Sequence, residues 1–352
     1  MSVELNVQER YAEGAQEKQE ALCCPVDYQK ELLELLPQEI IEKDYGCGDP
    51  SRYVREGDVV LDLGSGGGKV CYMAAQLVGE NGHVHGVDMT DEMLALANKY
   101  KAEMAEKLGG HRVSFHKGFI QDLAFDLEAA TTFANAAPLA NLESVHAYEL
   151  WKKKQARQAP MIADASISLV ISNCVLNLVE HTDRENMLRE IYRVLKPGGR
   201  VAISDIVSNK VVPKKLQEDE RLWSGCISGA FHEREFLQAF KDIGFSNVAY
   251  DKWDETPWQV VEDIEFRSVT LIASKPLEEK PSTRSECEVM YVGPYSQVID
   301  DGGHCFHKGE RTKVDESTFQ LLKEDASFVL FGEQAQSSSC CAPAQKTKSS
   351  CC

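Results

Sequence analysis

From residue 59 onward, short apolar runs alternate with stretches whose apolar positions recur at helical spacing. Residues 59–63 (Val-Val-Leu-Asp-Leu) form a nearly continuous apolar run entering a glycine turn, as expected for a strand buried on both faces. A helix is predicted over 69–77 and a second strand over 84–88. Thr90 is a plausible N-cap for a helix over 91–108, with Asp91 and Glu92 complementing its dipole. Strands follow at 113–117 and 167–172, and the helix predicted over 184–195 places Leu188, Ile191 and Leu195 on one face. Lys196-Pro197-Gly198-Gly199 stops that helix before a strand over 200–206. This alternation predicts an α/β fold, a Rossmann-like doubly wound parallel sheet.

The flanks read differently. Residues 1–55 are mostly polar, with one helix predicted over 28–43 carrying Leu32, Leu33, Leu35, Leu36, Ile40 and Ile41. The Ala- and Lys-rich segment 125–161 interrupts the alternation and reads as a surface insertion. Helices are expected around 214–223 and 233–243, then two strands, 247–251 and 267–274, able to pair antiparallel at the sheet edge. Lys280-Pro281-Ser282 reads as a linker to a small domain with strands at 289–292 and 328–331 and a helix near 318–323. From Glu333 the composition is that of a disordered tail. The expected layout is an N-terminal segment (1–55), the main domain (56–275), a small C-terminal domain (276–332) and the tail (333–352).

Charge narrows the function. Lys and Arg total 38 against 56 Asp and Glu, a net charge of −18, so nucleic acid is not expected as a partner. No run of about 18 apolar residues is present, so a membrane-spanning helix is not expected either. The first ten residues are charged and lack an apolar signal core, which predicts a cytosolic protein. Twelve cysteines in such a chain point to soft-metal binding, redox chemistry or simple burial rather than to a disulfide framework.

The glycine turn carries the first chemical signal. Glycines at the end of a first strand let the backbone approach a ligand, and the next helix aims its amides into the same crevice. A dinucleotide fingerprint needs glycine three positions after Gly66, but Lys69 stands there. The spacing Gly64-Ser65-Gly66-Gly67-Gly68, with Asp62 two residues earlier, instead resembles the first motif of the S-adenosylmethionine methyltransferases. Asp88 ends the second strand, where a carboxylate can accept hydrogen bonds from both ribose hydroxyls. Gly118-Phe119-Ile120, Asn173 and the turn at 196–199 continue the resemblance.

Three cysteines then stand in loops. Cys174 follows the fourth strand, at the sheet edge where ligands of open α/β folds bind. Cys226 lies in Ser224-Gly225-Cys226-Ile227-Ser228-Gly229 and Cys47 in Tyr45-Gly46-Cys47-Gly48. Three thiols from three loops suit a soft, three-coordinate ion. With Gly86-Val87-Asp88-Met89-Thr90 and Ser172-Asn173-Cys174-Val175, these segments resemble the arsenite methyltransferases from about Tyr11 to Phe331. The resemblance implies S-adenosyl-L-methionine as cofactor, held by Tyr45, Asp62, Gly64, Ser65, Gly66, Asp88, Met89, Phe119, Ile120 and Asn173. It implies trivalent arsenic on Cys174 and Cys226, with Cys47 as third thiol. It also implies that Cys47 can pair with an N-terminal cysteine, a place filled here by Cys23 or Cys24. Cys71, on the first helix of the sheet domain, is either a further relay thiol or a packed one. Implied partners are arsenite or its glutathione conjugate, and thioredoxin or glutathione as reductant, acting on a monomer.

Two weaker signals remain. His304-Cys305-Phe306-His307 with Cys287 resembles a loose zinc spacing without a CxxC knuckle, and the tail pairs Cys340-Cys341 and Cys351-Cys352 either deliver metal or are dispensable. The rival functions are methylation of an organic acceptor such as a sterol or quinone, and metalloid binding on a vestigial cofactor fold.

Overall fold

The computed structural model describes residues 3–16, 28–43, 45–277, 287–300 and 304–331, in two compact units, Met1–Pro276 and Leu277–Cys352. Cys23, Cys24, the segment 280–282 and the tail cysteines lie outside the described residues.

The first unit is built on strands β1 (Val59–Leu63), β2 (His83–Asp88), β3 (Val113–Lys117), β4 (Ile167–Asn173), β5 (Leu195–Ser208), β6 (Phe231–His232), β7 (Ser246–Trp253), β8 (Gln259–Val261) and β9 (Ile264–Ser274). Their order is β3-β2-β1-β4-β5-β9-β7, with β6 beside β5 and β8 beside β9. Strands β1 to β5 run parallel, and β7 and β9 pair antiparallel at the far edge, as their sequence suggested. Leu63 is level with Val87 on β2 and with Ser172 on β4. Gly64, Asp88 and Cys174 therefore emerge along one edge of the sheet.

Helices α1 (Val3–Gln16), α2 (Lys30–Leu33), α3 (Gln38–Glu42), α4 (Lys69–Leu77), α5 (Asp91–Lys99), α6 (Lys101–Leu108), α7 (Leu127–Ala136), α8 (Leu142–Gln158), α9 (Arg184–Val194), α10 (Lys214–Gln217), α11 (Glu220–Trp223) and α12 (Glu233–Ile243) complete the unit. Side chains of successive strand residues part to opposite faces. Leu61, Val170 and Ile203 join the α9 and α12 side of the core, while Val60, Leu169, Ile171 and Ala202 join the α4 side.

Three expected helices are broken. The one over 28–43 divides because Pro37 has no N–H to continue α2 and stands as the N-cap of α3. The one over 91–108 divides at Tyr100, which leaves helical geometry (φ −101°, ψ 1°) with its hydroxyl on Glu39. The segment 214–223 forms two single turns. The insertion is a helical hairpin: Asp126 caps α7, an Asn141–Ser144 capping box starts α8, and Phe133, Tyr148 and Trp151 pack against one another.

The second unit contains β10 (Cys287–Tyr291), β11 (Gln297–Ile299), β12 (Cys305–His307), β13 (Arg311–Val314), α13 (Glu316–Leu321) and β14 (Phe328–Phe331). It has a β13-β10-β14 sheet and a β11–β12 hairpin around Cys287, Val289, Tyr291, Phe306 and Val314. The zinc spacing does not assemble: the Cys287 thiol meets Glu316, His304 pairs with Asp300, and no metal-binding group forms here among the described residues.

Candidate active site

The turn after β1 needs its glycines. Gly64 and Gly66 hold φ of +68° and +50°, a left-handed region costly for other residues. A Cβ on Gly64 would lie 2.5 Å from Cγ1 of Val175. The turn opens onto a pocket at the carboxyl ends of β1, β2 and β4, and every residue assigned above to the cofactor lines it. Asp88 takes the Gly66 N–H at 2.9 Å and the Thr90 N–H at 2.8 Å, so it orders the glycine turn as well as facing the pocket. Burial pushes its carboxyl up, and those backbone donors oppose the shift. Ser65 Oγ is buried with no hydrogen-bond partner among the described residues, a polar atom that a ligand in the pocket would satisfy. An acceptor carboxylate, an orphaned hydroxyl and a glycine-walled turn fit the nucleoside part of S-adenosylmethionine. Asp88→Ala is expected to weaken its binding roughly 10- to 150-fold, the cost of about 1.5–3 kcal/mol for lost charged hydrogen bonds, as read by calorimetric titration.

Asn173 lines the pocket, but its amide is committed elsewhere. Its Oδ1 accepts the Cys47 and Gly48 N–H groups at 2.9 and 3.0 Å, and its Nδ2 donates to the Gly48 carbonyl at 2.8 Å. It is the tether of the Cys47 turn. The flanking glycines are as constrained: a Cβ on Gly46 would lie 2.2 Å from Asn173 Nδ2, and one on Gly48 2.3 Å from Ser204 Oγ.

That tether brings the thiols together. Cys47 and Cys174 form a disulfide with Cα atoms 5.8 Å apart, and the Cys226 thiol donates to the Cys174 carbonyl at 3.2 Å. In the described chain the partner of Cys47 is Cys174, and the N-terminal cysteines that the resemblance implies as partners, Cys23 or Cys24, lie outside the described residues. Cys174 and Cys226 hold φ of +60° and +61°, so two thiols of one site sit on strained backbone, a feature that concentrates at functional positions. Cys71 stays apart from the pocket lining. It is fully buried, its thiol donates to Asp62 at 3.2 Å, and burial and Asp62 push its pKa well up, so it packs as a neutral thiol.

Pattern reading missed two groups. Asp205, in the C-terminal half of β5, has a carboxylate oxygen within 4.8 Å of the Cys47 and Cys174 sulfurs. Its oxygens accept from Leu176 N, Asn177 N, Asn177 Nδ2 and Ile206 N, which leaves it little capacity as a ligand and makes it the clamp of the turn following Cys174. An acid inside the apolar run of β5 was the available signal. Burial pushes Asp205 up to about 7 against those donors and Arg184. Between about pH 4 and 7 the native chain keeps this proton while the unfolded chain has lost it, so this group makes stability fall as pH rises through that window. The effect is at most about 4 kcal/mol. Urea unfolding at pH 5 and pH 7 should show a smaller difference for Asp205→Asn than for the parent; an equal difference would exclude Asp205 as the source.

The other missed group is α1. Val7, Tyr11 and Ala15 recur at helical spacing, too short a stripe to stand out among polar residues. Glu4, Val7 and Tyr11 line the pocket, Glu4 takes Gln121 Nε2 at 2.6 Å, and Arg10 reaches Ser224 Oγ at 2.6 Å. The Tyr11 hydroxyl meets the Cys226 sulfur, and burial followed by that sulfur raises its pKa well above the ordinary value. One helix therefore touches both the cofactor edge and the thiol loop.

Comparison with known proteins agrees with this geometry. A methyltransferase domain family matches residues 55–244, and a domain of unknown function matches 278–350. The arsenite methyltransferase of Homo sapiens is 32% identical over 307 residues, 84% of this chain and 72% of the human protein. That of Aquipseudomonas alcaligenes is 36% identical over 229 residues, and there the chain spans 56% of the relative's length. The crystal structure of an arsenic(III) S-adenosylmethionine methyltransferase from Chlamydomonas reinhardtii superposes with a TM-score of 0.60 at 28% identity, covering 89% of this chain and 98% of that one. With a methyltransferase domain over more than half of its residues and the human likeness carried along most of its length, the chain belongs to the arsenite methyltransferase family.

Proposed function

We propose that this protein methylates trivalent arsenic held on Cys47, Cys174 and Cys226, using S-adenosylmethionine bound in the β1–β2–β4 pocket. The observation that carries the reading is the meeting of the three cysteine loops at Cys174, which lines that pocket, is bonded to Cys47 and accepts the Cys226 thiol through its carbonyl. The cofactor supplies an electrophilic methyl group. Trivalent arsenic has a lone pair and needs no base, so the chain's task is positioning. Thiolates suit arsenic as soft ligands, and the apolar packing of Val7, Leu178, Trp223 and Phe266 around them excludes water.

Methylation formally oxidises arsenic by two electrons. Two thiolates that close into a disulfide return those electrons, and the bond between Cys47 and Cys174 supports this pair as their source. Reopening it falls to thioredoxin or glutathione by thiol exchange, with Cys23 or Cys24 as the intermediate in the relay. Arsenite or its glutathione conjugate is the substrate, the acting form is a monomer, and the cytosol is the proposed compartment. No described helix is long and apolar enough to cross a membrane.

The test is direct. Reduced protein is incubated with arsenite, S-adenosylmethionine and a thiol, and arsenic species are separated by chromatography. Methylated arsenic is expected. Cofactor turnover with an organic acceptor and no methylated arsenic would overturn the reading, and so would arsenite binding without affinity for S-adenosylmethionine.

A further inference from the structure

The Cys47–Cys174 disulfide separates two cavities. Cys174 lines the cofactor pocket and Cys47 does not. Cys47 instead lines a groove of about 470 Å³, in which Cys174 has no part. Its walls are Trp253, the last residue of β7, and Asp254, Thr256 and Trp258 from the connection between β7 and β8. At its floor is Ser268 of β9, whose hydroxyl donates to the Cys47 carbonyl at 2.6 Å. The connection is pinned to β9 at both ends, by Asp254 N to Ser268 O at 3.1 Å and Trp258 N to Phe266 O at 2.7 Å. A cavity of this size matches a small organic molecule, since ligand sites fall in the range of roughly 300–1,000 Å³.

We propose that this groove is a port by which a low-molecular-weight thiol reaches the disulfide at Cys47 while the cofactor pocket is occupied. The proposal rests on the reading above in one respect, that this disulfide forms during turnover. The thiolate attacks Cys47 Sγ, a new sulfur–sulfur bond forms there, and the Cys47–Cys174 bond breaks with its electron pair leaving on Cys174. A second thiol then attacks the mixed disulfide. It releases the oxidised thiol and leaves Cys47 reduced, so two thiols are oxidised for one disulfide opened. The cysteine freed first is the one that lines the cofactor pocket. Cys47 is only 1% exposed, so exchange through the groove is slower than at an open disulfide.

The test uses the oxidised full-length protein with 2-mercaptoethanol as probe, following the Cys47 and Cys174 peptides by mass after alkylation. Saturating S-adenosylhomocysteine is expected to change the reduction rate less than twofold. Thr256→Trp, which fills the groove, should slow reduction at least tenfold, and Trp253→Ala, which widens it, should speed it at least threefold. The first adduct should be found on Cys47. A tenfold or greater slowing by S-adenosylhomocysteine overturns the proposal, as do parental rates in both variants or a first adduct on Cys174. No arsenic is present, so failure here and failure to methylate arsenite are read in separate experiments.

Discussion

Cys226→Ser is expected to abolish retention of both inorganic arsenite and monomethylated arsenic, and Cys174→Ser to do the same. An alcohol is a poor ligand for a soft ion, so the loss is chemical rather than steric. Serine keeps the size of the side chain and inherits the left-handed backbone, so the fold should survive, and melting curves check that separately. Cys47→Ser should behave differently. Inorganic arsenite accepts three thiolates, whereas monomethylated arsenic already carries one carbon bond and accepts two. The Cys47 variant should therefore bind the methylated form through Cys174 and Cys226 while losing much of its affinity for arsenite. The parent protein must be reduced first, because its Cys47 and Cys174 sulfurs are spent on each other. Trp223 reports binding by quenching: it is buried three residues before Cys226, with its indole N–H on the Leu178 carbonyl at 3.2 Å. Equal weakening of both forms in Cys47→Ser, or no weakening in Cys174→Ser, would refute a three-thiol site in which Cys174 and Cys226 suffice for the methylated form.

Gly64→Ala is expected to destabilise the protein by about 2–5 kcal/mol and to weaken cofactor binding at least 100-fold. Two costs add. A non-glycine residue at φ +68° loses about 1–2 kcal/mol, and overpacking against Val175 costs about 1–3 kcal/mol more. Val175 is the neighbour of Cys174, so its displacement reaches the thiol site as well as the cofactor pocket. Val175→Ala in the same chain should return the overpacking part and leave the backbone part, which a double-mutant cycle in urea separates. A Gly64→Ala protein with the parental unfolding midpoint would show that this turn is not held as described.

What the amino-acid pattern settles is local. The bounds of β1, β3, α4 and α12 are legible because periods of 2 and 3.6 residues and nearby caps decide them within a few residues. The glycine turn and Asp88 are legible for a related reason: a strand, a turn and a helix in succession put them at one sheet edge without help from distant residues. Breaks at Tyr100 and between α10 and α11 are harder to see, because apolar periodicity runs through them.

The thiol site belongs to the other category. Composition and loop position mark Cys47, Cys174 and Cys226 as candidates, but 126 residues separate Cys47 from the Asn173 amide that holds its turn. Only tertiary packing determines that Cys47 meets Cys174, that Asp205 spends its oxygens on the turn after Cys174, and that α1 lays Tyr11 against Cys226. The left-handed backbone at two cysteines is invisible in a sequence, since nothing about cysteine favours it. Folding supplies that conformation because surrounding hydrogen bonds outweigh its local cost. The sequence by itself therefore determined the sheet, the glycine turn and the candidate thiols, which depend on short-range preferences and on the chemistry of sulfur. The tertiary structure alone decided which thiols meet, because that depends on contacts between residues far apart in the chain.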